Sequence, residues 1–186
     1  MPPRIKITKD DIIEKTLDLI RAGGEAAINT RSIAAALNCS TQPIFSNFSS
    51  MEELYEAVIC RAHERYLKFL QAEAESGKYP KYKAFGMAYI RFAKEERELF
   101  KFLFMRDRKG EDLISTSDMR ESADLIVEAT GISLQEAELL HFEMWTCVHG
   151  IATMIATSFL DFEWEQISNM VTDVYQGLKI RHLEKR

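Results

Sequence analysis

The sequence predicts an all-α protein of about nine helices, a tightly spaced N-terminal trio followed by a larger helical remainder. Three observations carry that expectation. Apolar residues make up 46% of the 186-residue chain, enough for a proper core. Only 8 glycines and 4 prolines occur, and Pro2, Pro3 and Pro80 lie outside the long periodic stretches. The apolar residues recur at steps of three and four, with no sustained β-branched alternation.

Each element follows in order. Thr8-Lys9-Asp10-Asp11 reads as an N-cap with acid in the first turn, where the helix dipole favours it. Ile12/Ile13, Thr16/Leu17 and Leu19/Ile20 recur at helical spacing until Gly23-Gly24 stops the helix. A short helix is expected from Thr30 or Arg31 to Leu37, with Ile33, Ala34 and Leu37 inward. Asn38-Cys39 then turns the chain, and Ser40 caps a second short helix running to about Asn47. Ser50-Met51-Glu52-Glu53 fits a capping box and opens a long helix through Leu54, Val58, Ala62, Tyr66 and Leu70.

Gly77-Lys78-Tyr79-Pro80 is the clearest boundary. The aromatic-rich stretch from Lys81 to Met105 reads as two helices joined near Lys94–Glu98, and Arg106 to Gly110 as a solvated loop. A helix from about Ser117 to Thr130 ends at Gly131, and Ser133-Leu134-Gln135-Glu136 is a second capping box, opening a helix to about Ser158. The last helix, Phe162 to about Leu183, sets Trp164, Ile167, Val171, Val174 and Leu178 on one stripe.

The formal charge of −5 argues against a protein coated with nucleic acid. It is unevenly spread: residues 1–70 hold nine basic and nine acidic residues, so the remainder carries the whole excess. Any contact with phosphate is therefore expected near the N-terminus. Cys39, Cys60 and Cys147 are odd in number and far apart, which gives neither a disulfide framework nor metal-ligand spacing. No secretory h-region or membrane-length apolar run is present. The expectation is a soluble cytoplasmic protein without metal or cofactor.

Residues 30–48 supply the parts of a helix-turn-helix: small Ala34 and Ala35 for close approach, Asn38 where the chain must turn left-handed, and Pro43 in a first turn, where its missing N–H does little harm. Thr41 and Gln42 can hydrogen-bond base edges, glutamine being suited to adenine. The run Ile33-Ala34-Ala35-Ala36-Leu37-Asn38-Cys39-Ser40-Thr41-Gln42-Pro43-Ile44-Phe45-Ser46-Asn47-Phe48 resembles the DNA-binding segment of the tetracycline-repressor (TetR) family. That family's recognition helix typically ends Tyr-x-His-Phe, with a lysine near the start of the next helix. This chain has Phe45-Ser46-Asn47-Phe48 and Met51 there.

The resemblance implies phosphate positioning by Thr30, Arg31, Ser40, Phe45 (through its backbone) and Asn47, and base readout by Thr41, Gln42 and Ser46. The arm Arg4-Ile5-Lys6 would reach the adjacent groove or backbone. With Met51 in place of a lysine, the N-terminus of the following helix would offer its backbone N–H groups to phosphate. Phe48 reads as core.

Trp145-Thr146-Cys147-Val148-His149-Gly150 resembles a Trp-x-x-x-His-Gly signature in one branch of that family's regulatory domains. His141, Trp145 and His149 share a helix face. The functional reading places them in an apolar, aromatic effector pocket with Phe85, Tyr89, Phe92, Phe102, Met105 and Met144; the plainer one makes the same residues core. The last two helices, through Met154, Ile155, Trp164, Ile167, Val171, Val174 and Leu178, are the expected homodimer interface. Glu143 and Cys147 lie on a different face from His141 and His149, which argues against one metal site.

The expected organisation is a helix-turn-helix DNA-binding domain over residues 1–50 and a helical effector-binding and dimerisation domain over 51–186. The expected function is a ligand-responsive regulator, by default a repressor, that binds double-stranded operator DNA as a dimer and is released by a small molecule. The alternative is an all-helical small-molecule carrier or enzyme without sequence-specific DNA binding. No catalytic motif is visible in the sequence, and the acidic charge disfavours a non-specific architectural protein.

Overall fold

Local sequence signals place the helix ends in the computed structural model, which describes residues 7–107 and 116–184. Among the described residues there are nine α-helices: α1 Lys9–Gly23, α2 Thr30–Ala36, α3 Gln42–Asn47, α4 Met51–Glu75, α5 Lys81–Glu95, α6 Arg97–Phe104, α7 Thr116–Thr130, α8 Leu134–Ala156 and α9 Trp164–Glu184. The all-α expectation holds. One element escapes the sequence reading, a single 3₁₀ turn over Glu25–Ala27. The arm Arg4-Ile5-Lys6 and residues 108–110 of the expected Arg106–Gly110 loop lie outside the described residues.

Several caps are as expected. Thr8 and Asp11 form a capping box at α1, as Ser133 and Glu136 do at α8. Gly24 and Gly131 follow α1 and α7 with φ of 71° each, the left-handed region glycine enters without strain. Two caps differ. α2 is capped by Asn29, whose side chain accepts from the N–H groups of Arg31 and Ser32, so Thr30 is its first residue. α3 has no side-chain cap: Thr41, not Ser40, holds the cap position, and in a helical conformation that aims no hydroxyl at the turn.

The chain folds as two compact units, Met1–Leu67 with Glu96–Arg106, and Lys68–Glu95 with Asp107–Arg186. In the first, α1 buries Ile12, Leu17 and Ile20 and packs on α2 and α6. Arg21 of α1 holds Glu96 just before α6 through two bonds, Nε to Oε2 at 2.8 Å and Nη2 to Oε1 at 2.6 Å. Arg61 and Arg65 of α4 bind Glu14 of α1. In the second unit α8 is the central helix, packed by α5, α7 and α9. Leu140, Ile151 and Ala152 of α8 are buried, as are Met87 and Ile90 of α5 and Ile167 and Val171 of α9. No helix of the described residues is long and apolar enough to cross a membrane.

Candidate nucleic-acid interface and regulatory unit

The helix-turn-helix packs through Ala34 and larger apolar side chains, while Ala35, expected to admit the second helix, is exposed. Ile33, Ala34, Ile44 and Phe48 are buried. Asn38 has φ 51°, its N–H donates to Ala35 O at 3.0 Å, and the N–H of Cys39 donates to Ala34 O at 3.0 Å. The turn is left-handed where the sequence placed an asparagine for that purpose.

The outer edge of α3 and its entry present Ser40, Thr41, Gln42, Phe45 and Ser46 to solvent, and Arg31 is exposed on α2, where Thr30 is half-buried. Phe45 is 53% exposed. Its N–H points along the helix towards Thr41 O at 3.5 Å, so the ring rather than the backbone is what this residue offers. Ser46 Oγ donates to Gln42 O at 2.9 Å. Asn47 turns inward: Nδ2 donates to Pro43 O at 2.8 Å and Ile7 O at 3.4 Å. With both amide hydrogens engaged, Asn47 has no donor left for phosphate.

The start of α4 also departs from expectation. Two carboxylates, those of Glu52 and Glu53, stand in its first turn. Glu53 accepts from Ser49 N–H at 2.6 Å, Ser49 Oγ at 2.7 Å and Lys9 Nζ at 3.1 Å. The Ser49 hydroxyl and N–H, with Lys9, hold the Glu53 carboxyl down at about 2. The capping box is thus shifted by one: Ser50 Oγ accepts from Glu53 N–H at 3.2 Å, while the Glu53 carboxylate reaches back to Ser49. Glu52 is lowered too, by its own N–H and the Ser50 hydroxyl. Two anions at a helix N-terminus satisfy the dipole and repel a third.

In the second unit, Tyr82 OH lies 3.0 Å from His141 Nδ1 and Tyr89 OH 2.8 Å from His149 Nδ1. Burial pushes both imidazoles below the ordinary histidine range and the Tyr82 phenol upward. Tyr89, Phe92 and Met144 are buried; Phe85 is half-buried, with Lys81 Nζ 5.8 Å above its ring. Trp145 faces outward, stacked on His149 at 5.1 Å and beside Phe142 at 6.1 Å. Phe102 and Met105 fall in the first unit, where Phe102 packs edge-on to Tyr55 at 5.2 Å. The sequence joined the shared face of His141, Trp145 and His149 to apolar residues elsewhere in the chain, and neither helix spacing nor apolar character distinguishes the units.

Glu143 binds Arg181 Nη2 at 2.8 Å and buried His182 Nε2 at 2.9 Å. Burial opposes its charge, but His182 and Arg181 outweigh that and keep its carboxyl below the ordinary range. Sequence reasoning missed this α8–α9 pair, because nothing local links positions so far apart.

The expected dimer residues divide. Ile155, Ile167 and Val171 are buried in the chain's own core and cannot also form an exposed face. Trp164 donates from Nε1 to Tyr79 OH at 3.2 Å and lies under the Arg91 guanidinium at 5.0 Å. Met154, Val174 and Leu178 are half-buried. The exposed apolar side chains are Leu139, Phe142 and Trp145 on α8 and Met170 and Ile180 on α9. The monomer's own packing claims one stripe of each helix, and a helix apolar on two sides leaves the other bare.

The chain carries a helix-turn-helix in one unit and a larger all-helical arrangement in the other. The family model for the tetracyclin repressor-like C-terminal domain matches residues 82–173. A TetR-like transcriptional regulator from Rhodococcus sp. RHA1 is 18% identical, with TM-score 0.67 and 100% of both chains covered. A protein of unknown function from the same organism gives TM-score 0.74 at 18% identity, covering 95% of this chain and 97% of that one. A TetR-family member from Streptomyces coelicolor A3 gives TM-score 0.62 at 16% identity, covering 88% and 95%. No curated protein matches the sequence. Residues 82–173 match the tetracyclin repressor-like C-terminal domain, and the chain shares its fold with these TetR-like structures.

Proposed function

We propose that this regulator is a cytoplasmic repressor that binds a palindromic operator as a homodimer and is released by a small-molecule effector. The observation that carries the reading is the outer edge of α3, where Thr41, Gln42, Phe45 and Ser46 stand exposed on a helix anchored by buried Ile44 and Phe48. Thr41 and Gln42 suit base edges, Phe45 suits a thymine methyl or a sugar, and Thr30, Arg31 and Ser40 flank them towards the backbone.

Dimerisation is supported by the bare apolar faces of α8 and α9. Gly150 and Gly177, inside those helices, have nothing within 4 Å of where a Cβ would stand. A mid-helix glycine disfavours the helix by about 1 kcal/mol relative to alanine, and no packing within the chain requires it. Close approach of a partner helix would.

The effector reading rests on the second unit, where Phe85, Tyr89, Phe92 and Met144 supply apolar surface and His141 and His149 supply neutral polar anchors. Effector binding would favour a dimer geometry that no longer matches the operator, through unequal affinity for two states. Selection of binding sites from random duplex DNA with the full-length protein tests the reading. A palindromic consensus with half-sites about one helical turn apart is expected. An unenriched pool at moderate salt would overturn it in favour of a small-molecule carrier or enzyme.

A further inference from the structure

Lys83 of α5 is a half-buried cation held by neutral groups only. Its ammonium donates to Ser168 Oγ and Thr172 Oγ1 of α9, each at 2.7 Å, and lies 5.0 Å from the centre of the Tyr79 ring. The other basic residues of α5, Lys81, Arg91 and Lys94, each reach a carboxylate. Among the described residues Lys83 reaches none. Hydroxyls and an aromatic face solvate an ammonium without neutralising it, and a partly dehydrated charge is best satisfied by a counter-ion.

The surroundings offer donors rather than acceptors. Trp164, Ser168 and Thr172 recur every four residues and share one face of α9. Thr172 gives its hydroxyl hydrogen to Ser168 O at 2.9 Å. Ser168 Oγ accepts from Lys83, and among the described residues its own hydrogen meets no acceptor. Tyr79 OH accepts from Trp164 Nε1 at 3.2 Å, and its hydrogen is uncommitted in the same sense. An ammonium has three donors, so one N–H of Lys83 is open as well. Lys78 adds a second ammonium 5.4 Å from the Tyr79 ring, also outside any ion pair among the described residues. Arg91, 5.0 Å from the indole of Trp164, is by contrast matched by Glu73 at 2.5 Å.

We propose that this cluster binds an organic carboxylate. The open N–H of Lys83 and the hydroxyl hydrogens of Ser168 and Tyr79 take its oxygens, and the rings of Tyr79 and Trp164 border its apolar part. A monoanion fits because one cation is half-buried. Lys78 is exposed and keeps its own hydration, so a phosphate dianion leaves a charge unmatched. The site uses none of the residues assigned above to the effector, and it does not depend on DNA binding.

The test is calorimetric titration of the full-length protein with benzoate, beside acetate, benzamide and inorganic phosphate. Benzoate is expected to bind saturably, more tightly than acetate or phosphate, and uncharged benzamide not at all. Lys83→Met removes the charge and keeps the stem. It is expected to weaken benzoate about tenfold, the worth of a hydrogen bond to a charged group. Lys83→Arg retains saturable binding, and Ser168→Ala with Tyr79→Phe weakens it. Benzoate also raises the melting temperature of wild type in proportion to its binding, and leaves that of Lys83→Met unmoved.

Benzoate that fails to saturate wild type, or binds Lys83→Met equally well, overturns the proposal. Benzamide as tight as benzoate does the same, and so does phosphate tighter than benzoate, which makes the cluster a phosphate site instead. Where Lys83→Met does not fold, unchanged benzoate affinity in Ser168→Ala with Tyr79→Phe overturns it. None of these titrations contains DNA, so failure here and failure of the repressor reading are separate results.

Discussion

The hydroxyl of Tyr89 and Nδ1 of His149 stand 2.8 Å apart and join the buried face of α5 to the outward aromatic stack of α8. His149 carries Trp145 face to face on its other side, at 5.1 Å and an interplanar angle of 17°. A core phenol and an exposed indole are thereby linked through one half-buried imidazole. Any shift of α5 against α8 changes how Trp145 sits.

Tyr89→Phe removes that link at little change in volume. A part-buried hydrogen bond of this kind contributes about 1 kcal/mol net. The expected outcome is an unfolding free energy lowered by that amount, read as a lower urea midpoint at unchanged m-value, with a change in Trp145 emission because its stacking partner is freed. Unaltered fluorescence and unaltered stability together would show the pair to be energetically idle.

The histidines give the second unit a pH dependence of definite sign. Burial lowers His141 and His149 from the ordinary 6.5, so between the folded and unfolded values the unfolded chain binds more protons. Stability is therefore full above 6.5, falls as pH drops through it, and levels off below the folded values. Glu53 acts in a separate window: its contribution is present above the ordinary 4.5 and is lost as pH falls towards about 2. Urea unfolding at pH 7.5 and 5.5 should show the histidine loss, and His141→Gln with His149→Gln should flatten it.

Gly24 ends α1 at φ 71° with its N–H bonded to Ile20 O at 2.7 Å. An added Cβ would also stand 2.8 Å from Glu98 Oε2, a flexible end that can move aside. Backbone strain therefore dominates, and at φ 71° with ψ −174°, a region essentially reserved for glycine, Gly24→Ala is expected to destabilise by about 1–3 kcal/mol. Gly77→Ala, also at positive φ but with open space around its Cβ, isolates the strain alone. Both variants should be less stable than wild type in chemical denaturation, since each places a Cβ at positive φ.

On the recognition helix, Gln42→Ala should relax preference at one base pair of each half-site by about 1–3 kcal/mol and leave the salt slope unchanged. Competition binding with single-base-pair variants of the selected duplex reads this directly. Equal losses at every position would move Gln42 from base readout to backbone contact.

For assembly, Phe142→Glu places a charge on the bare face of α8 without disturbing the monomer core. Sedimentation equilibrium should report a dimer for wild type, as proposed, and a monomer for Phe142→Glu, with the far-ultraviolet spectrum preserved. Ile167→Ala, by contrast, removes a fully buried side chain and should lower stability by about 2–5 kcal/mol before it alters assembly.

Much of the fold was legible because helix signals are local. Thr8 with Asp11, Ser133 with Glu136, Gly24, Gly131 and Asn38 each act on backbone groups within four residues, so spacing alone reveals them. Caps failed where two polar residues competed: Asn29 took α2 from Thr30, since its side chain reaches two N–H groups at once. At the start of α4 the sequence identified the missing lysine at Met51 but not the consequence. Glu53 turns back to Ser49 and Lys9, and that partnership crosses from α1.

The sequence by itself determined the all-α class and the short-helix, left-handed-turn, short-helix geometry of residues 30–47, because periodicity, capping and turn chemistry are set by near neighbours. Only the tertiary structure decided which apolar stripe of α8 and α9 is core and which is bare, that Asn47 faces Ile7 rather than solvent, and that Tyr82 and Tyr89 meet His141 and His149. Those outcomes depend on which elements pack together. A helix face carries the same residues whether a neighbour covers it or not, and only packing settles which face is covered.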